Sequence, residues 1–369
     1  MTSAERVDIR RVAVIGTGLV GTSIALAAAR VGCEVRGWDA DPETLGLAAE
    51  RSGLAPALDL EDAVRDAELV VVAAPIHAIP DLVVRTLAAA PDALVTDAGS
   101  IKGHIVDEVR AGAGPGDAVR FVPGHPLGGS ERSGPEHASA SLVDGIVWVL
   151  TPTETTDPRM TALLDTWVSR LGARPVRMAP ARHDRLVAFV SHLPQVASTA
   201  LMSLAAGEEA DEPEILLLAA GGFRDLTRLA SSSPSLWSDI LLANRDQVVS
   251  AIDRYVERLR ALRAEIDSGR GEEVERTFDA AKQARLRLAA KPQVRAGVAV
   301  LQVPVPDRPG ALAELAAALG AEGVNIEDLQ IVHSAEGGRG TVHLTVAAGS
   351  APDAARVLAA HGFDPARLA

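Results

Sequence analysis

Three glycines and one carboxylate near the start of the chain could bind a dinucleotide. Residues 12–21 (VAVIGTGLVG) join an apolar run to a G-x-G-x-x-G turn and then to an alanine-rich stretch. The pattern predicts a strand, a turn made by Gly16, room for a pyrophosphate at Gly18, and a helix that packs closely through Gly21. Asp39 ends the next predicted strand, where its carboxylate can accept both ribose hydroxyls and would repel a 2′-phosphate. No Arg or Lys follows closely, so we predict NAD as the cofactor rather than NADP.

Further cofactor contacts are expected beside this turn and at the end of a third strand. Leu19 and Val20 open the predicted helix. Ala74 and Pro75 end an apolar strand that begins at residue 69, and Pro75 stops it at the carboxyl edge of the sheet, where cofactors bind.

A turn after the fourth predicted strand (93–97) has two interpretations. Asp97 and Ser100 could simply cap the following helix. Alternatively, Ser100 lies next to the nicotinamide and forms a hydrogen bond with the substrate, the cofactor or a catalytic base.

A histidine between glycine and proline is the candidate for proton transfer. His125 lies in the segment 123–130 (PGHPLGGS), directly after a predicted fifth strand over 119–123. A histidine in a loop at the carboxyl edge of a nucleotide-binding sheet contributes little to core packing. Imidazole also exchanges protons near neutrality. We therefore predict that His125 is the catalytic base.

Two more histidines follow in a predicted helical region. His183 and His192 are nine residues apart, which places them about 180° from each other around a straight helix. They cannot both face one cleft unless Pro194 bends the chain, so one of them is expected to be structural. Gln195 shares the face of His192.

An arginine further along could hold an acidic substrate. Asp225 and Arg228 are spaced i,i+3 and could form a solvated ion pair. Alternatively, Arg228 faces the sheet edge and holds a substrate carboxylate, to which a planar guanidinium is well suited.

The elements that must position these residues fall into three parts. Alternating strands and helices over 1–179 predict a doubly wound, Rossmann-like α/β domain. Residues 180–290 predict an all-helical domain, in which an apolar stripe over 244–267 packs against helices of this chain or of a second copy. A linker (291–295) leads to a compact α+β unit over 296–369 with the order βαββα and a short last strand.

Composition excludes several classes of function. The net charge of −13 disfavours nucleic acid and anionic membranes. One cysteine, Cys33, indicates a reducing compartment. We find no signal peptide, no apolar run long enough to cross a bilayer and no metal motif, so we expect a cytoplasmic protein.

Several motifs together resemble the prephenate dehydrogenase family, in the version that carries a C-terminal ACT regulatory domain. They are G-H-P-L-G-G-S, D-A-G-S-I-K, S-H-L-P, G-F-R-D-L-T-R and S-P-S-L-W-S-D-I, followed by D-R-P-G-A-L-A and V-N-I-E-D in the last unit. The resemblance covers nearly the whole chain. It implies NAD-dependent oxidative decarboxylation of prephenate to 4-hydroxyphenylpyruvate in L-tyrosine biosynthesis, or the parallel reaction of arogenate.

The resemblance also implies a role for each matching residue. His125 accepts the proton of the C4 hydroxyl, and Ser100 orients His125. Arg228 holds a substrate carboxylate and is steadied by Asp225. The other expected substrate contacts are Ser130, His183, Gln195 and Trp237. The family motif often reads S-H-L-P-H, so Gln195 departs from it and leaves open whether prephenate or arogenate is the substrate.

The last unit is similar to an amino-acid-binding ACT domain. The resemblance implies that Gly310 and Asn325 flank a site for L-tyrosine, often formed across a homodimer, although a purely structural dimerisation unit is the alternative. Two other functions remain open: a β-hydroxy-acid dehydrogenase, which would not explain the G-H-P-L-G-G-S and S-H-L-P segments, and a non-catalytic sensor of NAD and amino acids.

Overall fold

The computed structural model describes residues 8–114, 116–128, 133–289, 298–306, 308–333 and 339–367. The chain divides into two compact units, Met1–Val274 and Glu275–Ala369. The predicted linker 291–295 and part of the predicted hairpin 336–340 lie outside the described residues.

The first unit begins with a five-stranded parallel sheet in the order β3-β2-β1-β4-β5. Its strands are β1 Arg11–Ile15, β2 Glu34–Trp38, β3 Ala55–Pro56, β4 Leu69–Val72 and β5 Leu94–Asp97. The helices between and after them are α1 Leu19–Arg30, α2 Pro42–Ser52, α3 Leu60–Val64, α4 Ile79–Ala89 and α5 Gly103–Gly112. Side chains of β1 and β4 pack alternately into two separate cores, which explains why β4 is apolar at every position and β1 is apolar from Val12 onward. The predicted Rossmann-like sheet is confirmed.

A second, three-stranded sheet follows. It contains β6 Gly124–Pro126, β7 Val147–Leu150 and β8 Arg174–Arg177, with α6 Pro158–Arg170 before the last strand. Strand β6 runs antiparallel to β7, and β8 runs parallel to it.

The predicted strand over 119–123 is wrong. Residues Asp117–Arg120 form a 3-10 turn, and Phe121 makes a single bridge to Val95. The buried Arg120 guanidinium donates hydrogen bonds to carbonyl groups at and after the end of α4, and this anchoring is incompatible with a regular strand. His125 therefore lies within the short strand β6 and not in a loop behind a strand.

The rest of the first unit is helical, as predicted. Its helices are α7 Pro180–Val187, α8 Leu193–Glu208, α9 Glu214–Leu217, α10 Gly221–Thr227, α11 Pro234–Ala243 and α12 Arg245–Asp267. A π-helical turn, Ala188–His192, joins α7 to α8, and a 3-10 turn, Arg228–Ser231, follows α10. Helix α13, Gly271–Ala289, contains the boundary between the two units.

The apolar stripe of α12 is only partly covered in this chain. Val248 and Ala251 in its first half are buried. Tyr255, Leu259 and Ile266 further along remain 40%, 46% and 59% exposed. The second half of the stripe therefore has the character of a surface for another helix.

Among the described residues, one helical stretch is long and apolar enough to cross a membrane. Pro180–Glu208 has 29 residues, and 33% of its most apolar window is buried. The same stretch carries His183, Asp184 and His192, all of which are buried and bonded to other elements of the unit. We therefore assign it to the packed helical part of the first unit.

The second unit has the order βαββαβ. Its elements are β9 Val298–Pro306, α14 Ala311–Ala321, β10 Ile326–His333, β11 Arg339–Ala347, α15 Ala351–Ala360 and β12 Ala366–Arg367. The strands form an antiparallel sheet in the order β10-β11-β9-β12. Apolar residues of both helices and of the sheet form one core, so the predicted α+β unit with a short last strand is confirmed.

Candidate active site

The glycine turn after β1 is shaped for close backbone approach. Gly16 has a φ of +91°, and a Cβ there would lie 2.5 Å from the carbonyl oxygen of Ala73. A Cβ on Gly21 would lie 1.9 Å from the carbonyl oxygen of Gly16. At Gly18, in contrast, no atom of the described residues lies within 4 Å of a Cβ, apart from those of its neighbours along the chain. The turn is therefore closed on the protein side and open where a pyrophosphate would approach.

The carboxylate at the end of β2 is held against this turn. Oδ2 of Asp39 accepts hydrogen bonds from the amide of Thr17 at 2.6 Å and from its hydroxyl at 3.2 Å. Oδ1 accepts one from the amide of Asp41 at 3.0 Å. The remaining predicted cofactor residues lie near: Leu19 and Val20 open α1, and Ala74 and Pro75 follow β4. The residues present thus fit a dinucleotide whose ribose binds an acid.

His125 lies in a chain of three polar side chains. Its Nδ1 atom is 2.9 Å from Nε2 of His183, and the two rings meet edge to face. Nδ1 of His183 is in turn 2.7 Å from Oδ1 of Asp184. The carboxylate of Asp184 also accepts the amide hydrogens of Lys102 and Gly103 at 2.8 Å and 2.7 Å. Asp184 of α7 therefore caps α5 and is linked to the candidate base, His125, through the ring of His183.

A buried ion pair supports the backbone next to His125. The Lys102 ammonium contacts the carboxylate of Asp97 and donates to the carbonyl of Gly124 at 2.6 Å. Asp97 also accepts the amide hydrogens of Gly99 and Gly124. The prediction that Asp97 and Ser100 cap α5 is wrong, because Asp184 is the residue that bonds its first amides. Ser100 follows β5 and is partly exposed, but His183, and not Ser100, is the residue that bonds the Nδ1 atom of His125.

Both helical histidines lie at this site, contrary to the expectation from a straight helix. The π-helical turn inserts one residue, which shifts the face of the following helix by about 100°. His192 is buried, its ring packs edge to face against Trp237 at 6.0 Å, and the amide of Asn244 lies 3.3 Å from its Nδ1 atom. Pro194 is the second residue of α8 and does not interrupt the helical stretch.

Gln195 is bonded to the turn that carries Arg228. Its Nε2 atom donates to the carbonyl of Leu229 at 2.8 Å, and its Oε1 atom accepts from the hydroxyl of Ser232 at 3.4 Å. The polar atoms of Gln195 are thus used in contacts within the protein, although it was predicted to bind substrate. Arg228 begins the 3-10 turn and is exposed.

Two more residues were predicted for the substrate site, Asp225 and Ser130. Asp225 is exposed on α10, three residues before Arg228. Ser130 lies outside the described residues.

Comparison with known proteins identifies the family. The models of the prephenate dehydrogenase nucleotide-binding and dimerization domains match residues 24–177 and 179–280, and the ACT domain model matches 299–363. The prephenate dehydrogenase of Bacillus subtilis is 33% identical over 344 residues, covering 89% of this chain and 90% of its own. The chain belongs to the prephenate dehydrogenase family.

Other members of the prephenate dehydrogenase family are similar in sequence and structure. The cyclohexadienyl dehydrogenase of Zymomonas mobilis is 32% identical, covering 78% of this chain and 98% of its own. The structure of Aquifex aeolicus prephenate dehydrogenase with hydroxyphenyl propionate and NAD+ has a TM-score of 0.71 at 29% identity and covers 76% of this chain and 99% of that one. Synechocystis arogenate dehydrogenase has a TM-score of 0.65 at 29% identity, covering 75% and 99%. The protein is an NAD-dependent oxidoreductase of this family.

The charges at the site favour a neutral base next to an ionised acid. Burial lowers the pKa of His125 well below its usual value, and the neighbouring His183, Lys102 and His192 lower it further. Burial also lowers the pKa of His192 to about 4. Burial alone would raise the pKa of Asp184, but hydrogen bonds from His183, Lys102 and Gly103 outweigh it and hold that pKa below its usual value.

Sequence reasoning missed Asp184, Lys102 and Asn244. Asp184 stands directly after His183, and an acid next to a candidate histidine is a signal that could have been used. Lys102 belongs to the D-A-G-S-I-K motif, but its burial was not foreseen. Asn244, which donates to the backbone carbonyl of Asp184 at 3.0 Å, gives no signal of its own.

The predicted regulatory residues lie in the second unit. Gly310 is the N-cap residue of α14 and has a φ of +87°. Asn325 stands directly before β10. The helix N-terminus and the strand start thus carry one predicted residue each.

Proposed function

We propose that this protein is a prephenate dehydrogenase, which oxidises prephenate with NAD and releases carbon dioxide to form 4-hydroxyphenylpyruvate. The observation that carries the proposal is the position of His125. Its Nδ1 atom is bonded to His183, so Nε2 is the nitrogen left for a substrate. The base lies in β6 of the second sheet, four residues after Phe121, which bridges to Val95 of the dinucleotide-binding sheet, in a protein of the matching family.

In the proposed reaction, His125 receives the proton of the C4 hydroxyl on Nε2. NAD supplies the hydride acceptor, and the hydride comes from C4 of the ring. The resulting dienone draws electrons from the bond between C1 and its carboxylate, so carbon dioxide leaves and the ring becomes aromatic. His125 can then return its proton to the phenolate oxygen. Correct placement of the reactants contributes about 7–11 kcal/mol in such reactions, and a positioned base about 10²–10⁴-fold.

Five further residues belong to the proposed substrate site. Arg228 holds a substrate carboxylate, for which its guanidinium is suited. Ser100, which follows β5, stands beside the nicotinamide, and Ser130 contacts the substrate. Trp237 and His183 shape the pocket, and both are in contact with a second histidine.

Arogenate is the alternative substrate, and Gln195 is the observation that favours it. Arogenate differs from prephenate in carrying an amino group where prephenate has a keto group. The family motif often has a histidine at position 195, and a protonated histidine would repel the ammonium group of arogenate. Gln195 is neutral and does not repel it. The similarity to Synechocystis arogenate dehydrogenase agrees with this alternative.

The proposal is tested by initial rates at the NADH absorbance band with prephenate and with arogenate, each with NAD and with NADP. We expect NADH formation with prephenate and a clear preference for NAD. Turnover of arogenate alone would establish the alternative. A protein that binds NAD but oxidises neither compound would contradict the proposed function.

We propose that L-tyrosine regulates the enzyme through the second unit and that the enzyme is a cytoplasmic homodimer. The exposed apolar residues of α12 are suited to a second copy, and the matched helical domain is a dimerization domain. The test is inhibition of the full chain by L-tyrosine, compared with Asn325→Ala. Equal inhibition of both proteins would contradict a site at Asn325, and sedimentation as a monomer would contradict the dimer.

A further inference from the structure

We propose that Asp184 is a positioning residue for the reaction: through His183 it fixes the protons on both imidazoles and stabilises the charge that His125 gains. The inference rests on the proposed function, in which His125 is the base. Nothing in the sequence motifs assigned a role to Asp184. Asp184, His183 and His125 form a continuous chain of contacts.

The first step is the ionised state of Asp184. Its side chain is 8% exposed and accepts three hydrogen bonds, from the amides of Lys102 and Gly103 and from the ring of His183. An ionised carboxylate has no hydrogen to donate. The proton of the contact with His183 must therefore be on Nδ1 of that ring. The lowered pKa of Asp184 agrees with this assignment.

The second step is that the proton position on His183 determines the proton position on His125. A neutral imidazole with a proton on Nδ1 has a lone pair on Nε2. Nε2 of His183 is 2.9 Å from Nδ1 of His125, so Nδ1 of His125 must donate. Nε2 of His125 then carries a lone pair and is the atom that can accept a substrate proton. Asp184 thus selects the catalytic tautomer of His125 without touching it, through the ring of His183.

The third step concerns the charge formed during the reaction. When Nε2 of His125 takes the hydroxyl proton, the ring becomes an imidazolium whose Nδ1–H still donates to His183. The nearby Asp97 carboxylate contacts the Lys102 ammonium, and His192 is another imidazole, so Asp184 is the anion that the described contacts join to His125. Because the group is buried, its charge acts with little screening by solvent.

Asp184→Asn tests the inference, with Asp157→Asn as a matched control. An amide has one acceptor oxygen and no charge, so it cannot replace the carboxylate toward all three donors. Asp157 caps α6 by accepting the amide of Arg159, so its variant also loses an acidic helix cap. We expect Asp184→Asn to lower kcat by at least about 10²-fold, by analogy with the carboxylate of a serine-protease triad, with little change in the KM for NAD. Asp157→Asn should stay within about twofold of the wild type.

Coupling with His183 separates a role through that ring from a merely structural one. If both residues act on His125 as one chain, Asp184→Asn combined with His183→Gln should lose little more kcat than either variant alone. Multiplicative losses, or a kcat for folded Asp184→Asn within threefold of the wild type, would overturn the inference. The proposed function would stand in that case, because the wild type would still oxidise its substrate.

Histidine proton positions can also be measured without any turnover. Protein labelled with ¹⁵N-histidine reports by NMR which ring nitrogen carries the proton, and His125→Gln and His183→Gln assign the two signals. We expect Nδ1–H in both rings of the wild type, whereas free neutral histidine favours Nε2–H. An Nε2–H form in either ring would overturn the inference, even if Asp184→Asn fails to fold. Two Nδ1–H rings in a protein that oxidises no substrate would support this inference and contradict the proposed function.

Discussion

Nε2 of His183 lies 2.9 Å from Nδ1 of His125, and this contact joins helix α7 to strand β6. The two residues come from the helical and the nucleotide-binding parts of the first unit. A strand at the edge of a nucleotide-binding fold can present an imidazole, but its ring orientation comes from the helical part. The candidate base is therefore complete only when both parts are folded together.

His125→Asn should remove turnover and leave NAD binding intact. The variant lacks the imidazole that accepts the substrate proton, and a positioned base contributes about 10²–10⁴-fold. We expect kcat to fall by that factor, measured by NADH absorbance, with an unchanged Kd for NAD by fluorescence titration. His361→Asn, in the second unit, serves as the control variant. An unchanged kcat for His125→Asn would remove His125 from the mechanism.

The rate should stay high at a pH where ordinary histidines are protonated. Burial lowers the pKa of His125 well below 6.5, and the nearby Lys102 ammonium acts in the same direction, so the neutral form of His125 persists as the pH falls through that value. The acidic limb of kcat/KM, which reports the free enzyme, should therefore lie below pH 6.5. A limb centred at pH 6.5 or above would contradict the burial of the base.

Asp39→Ala should weaken NAD binding and reduce discrimination against NADP. The carboxylate is held by Thr17 and Asp41 at the edge of the sheet, where it can accept two ribose hydroxyls. Hydrogen bonds to a charged group are worth about 1.5–3 kcal/mol, which corresponds to roughly 10–100-fold in the KM for NAD. Steady-state kinetics with both cofactors measure this, with Asp59→Asn, a cap of α3, as the control. Unchanged cofactor preference would show that Asp39 is not the selective residue.

The sequence predicts the nucleotide-binding fold well because its signals are local. The glycine turn depends on residues within one strand–turn–helix unit, and strands buried on both faces are apolar at every position. The apolar or β-branched residues Val119, Phe121 and Val122 also predict a strand over 119–123, which the structure does not contain. In the structure, the side chain of Arg120 donates hydrogen bonds to carbonyl groups in and after α4, and the segment forms a 3-10 turn. Such a contact joins residues about 30 positions apart and leaves no periodic trace.

The arrangement of the histidines shows the limit of helix geometry. Ideal helical spacing places His183 and His192 on opposite faces, and the π-helical turn between them changes that relation. Nothing in residues 188–192 distinguishes a π turn from an α-helical turn by composition. The cap of α5 by Asp184 was also beyond reach, because the carboxylate bonds amides 81 and 82 residues away.

Gln195→Ala should weaken substrate binding without affecting the cofactor. Its amide bonds the carbonyl of Leu229, within the turn that begins with Arg228, and the hydroxyl of Ser232, directly after that turn. Leaving a fully buried carbonyl without its partner costs about 1–3 kcal/mol, and the Leu229 carbonyl is in a half-buried contact, so the cost here falls toward the lower end. We expect a KM for the substrate raised by roughly tenfold and an unchanged KM for NAD. Thr199→Ala, which loses only a 3.5 Å contact with the same amide, is the control.

The result for Gln195→Ala distinguishes positioning from direct contact. If Gln195 acts through the Arg228 turn, Gln195→Ala combined with Arg228→Ala should bind substrate no worse than Arg228→Ala alone. Independent, additive losses in the two variants would favour direct contact between Gln195 and the substrate, as the family resemblance first implied.

Acid should destabilise the first unit between pH 6.5 and about 4, and His192 should account for part of the loss. The pKa of His192 is about 4 in the folded protein and has its ordinary value of 6.5 in the unfolded chain. Within that window the unfolded chain binds the proton more tightly, so the free energy of unfolding rises with pH and is lost as the pH falls. The slope from one such group is at most about 1.4 kcal/mol per pH unit.

Urea unfolding of the wild type and of His192→Asn at pH 7.5, 6.0 and 5.0 measures this slope. We expect His192→Asn to be less stable than the wild type at pH 7.5, because the contacts with Trp237 and Asn244 change. We also expect the variant to lose less stability on acidification, because asparagine cannot take up a proton. His104→Asn, at an exposed position of α5, should keep the slope of the wild type. Parallel pH profiles for the wild type and His192→Asn would show that the buried imidazole at 192 does not control the acid response, and His125, whose pKa is also lowered, would be the next residue to replace.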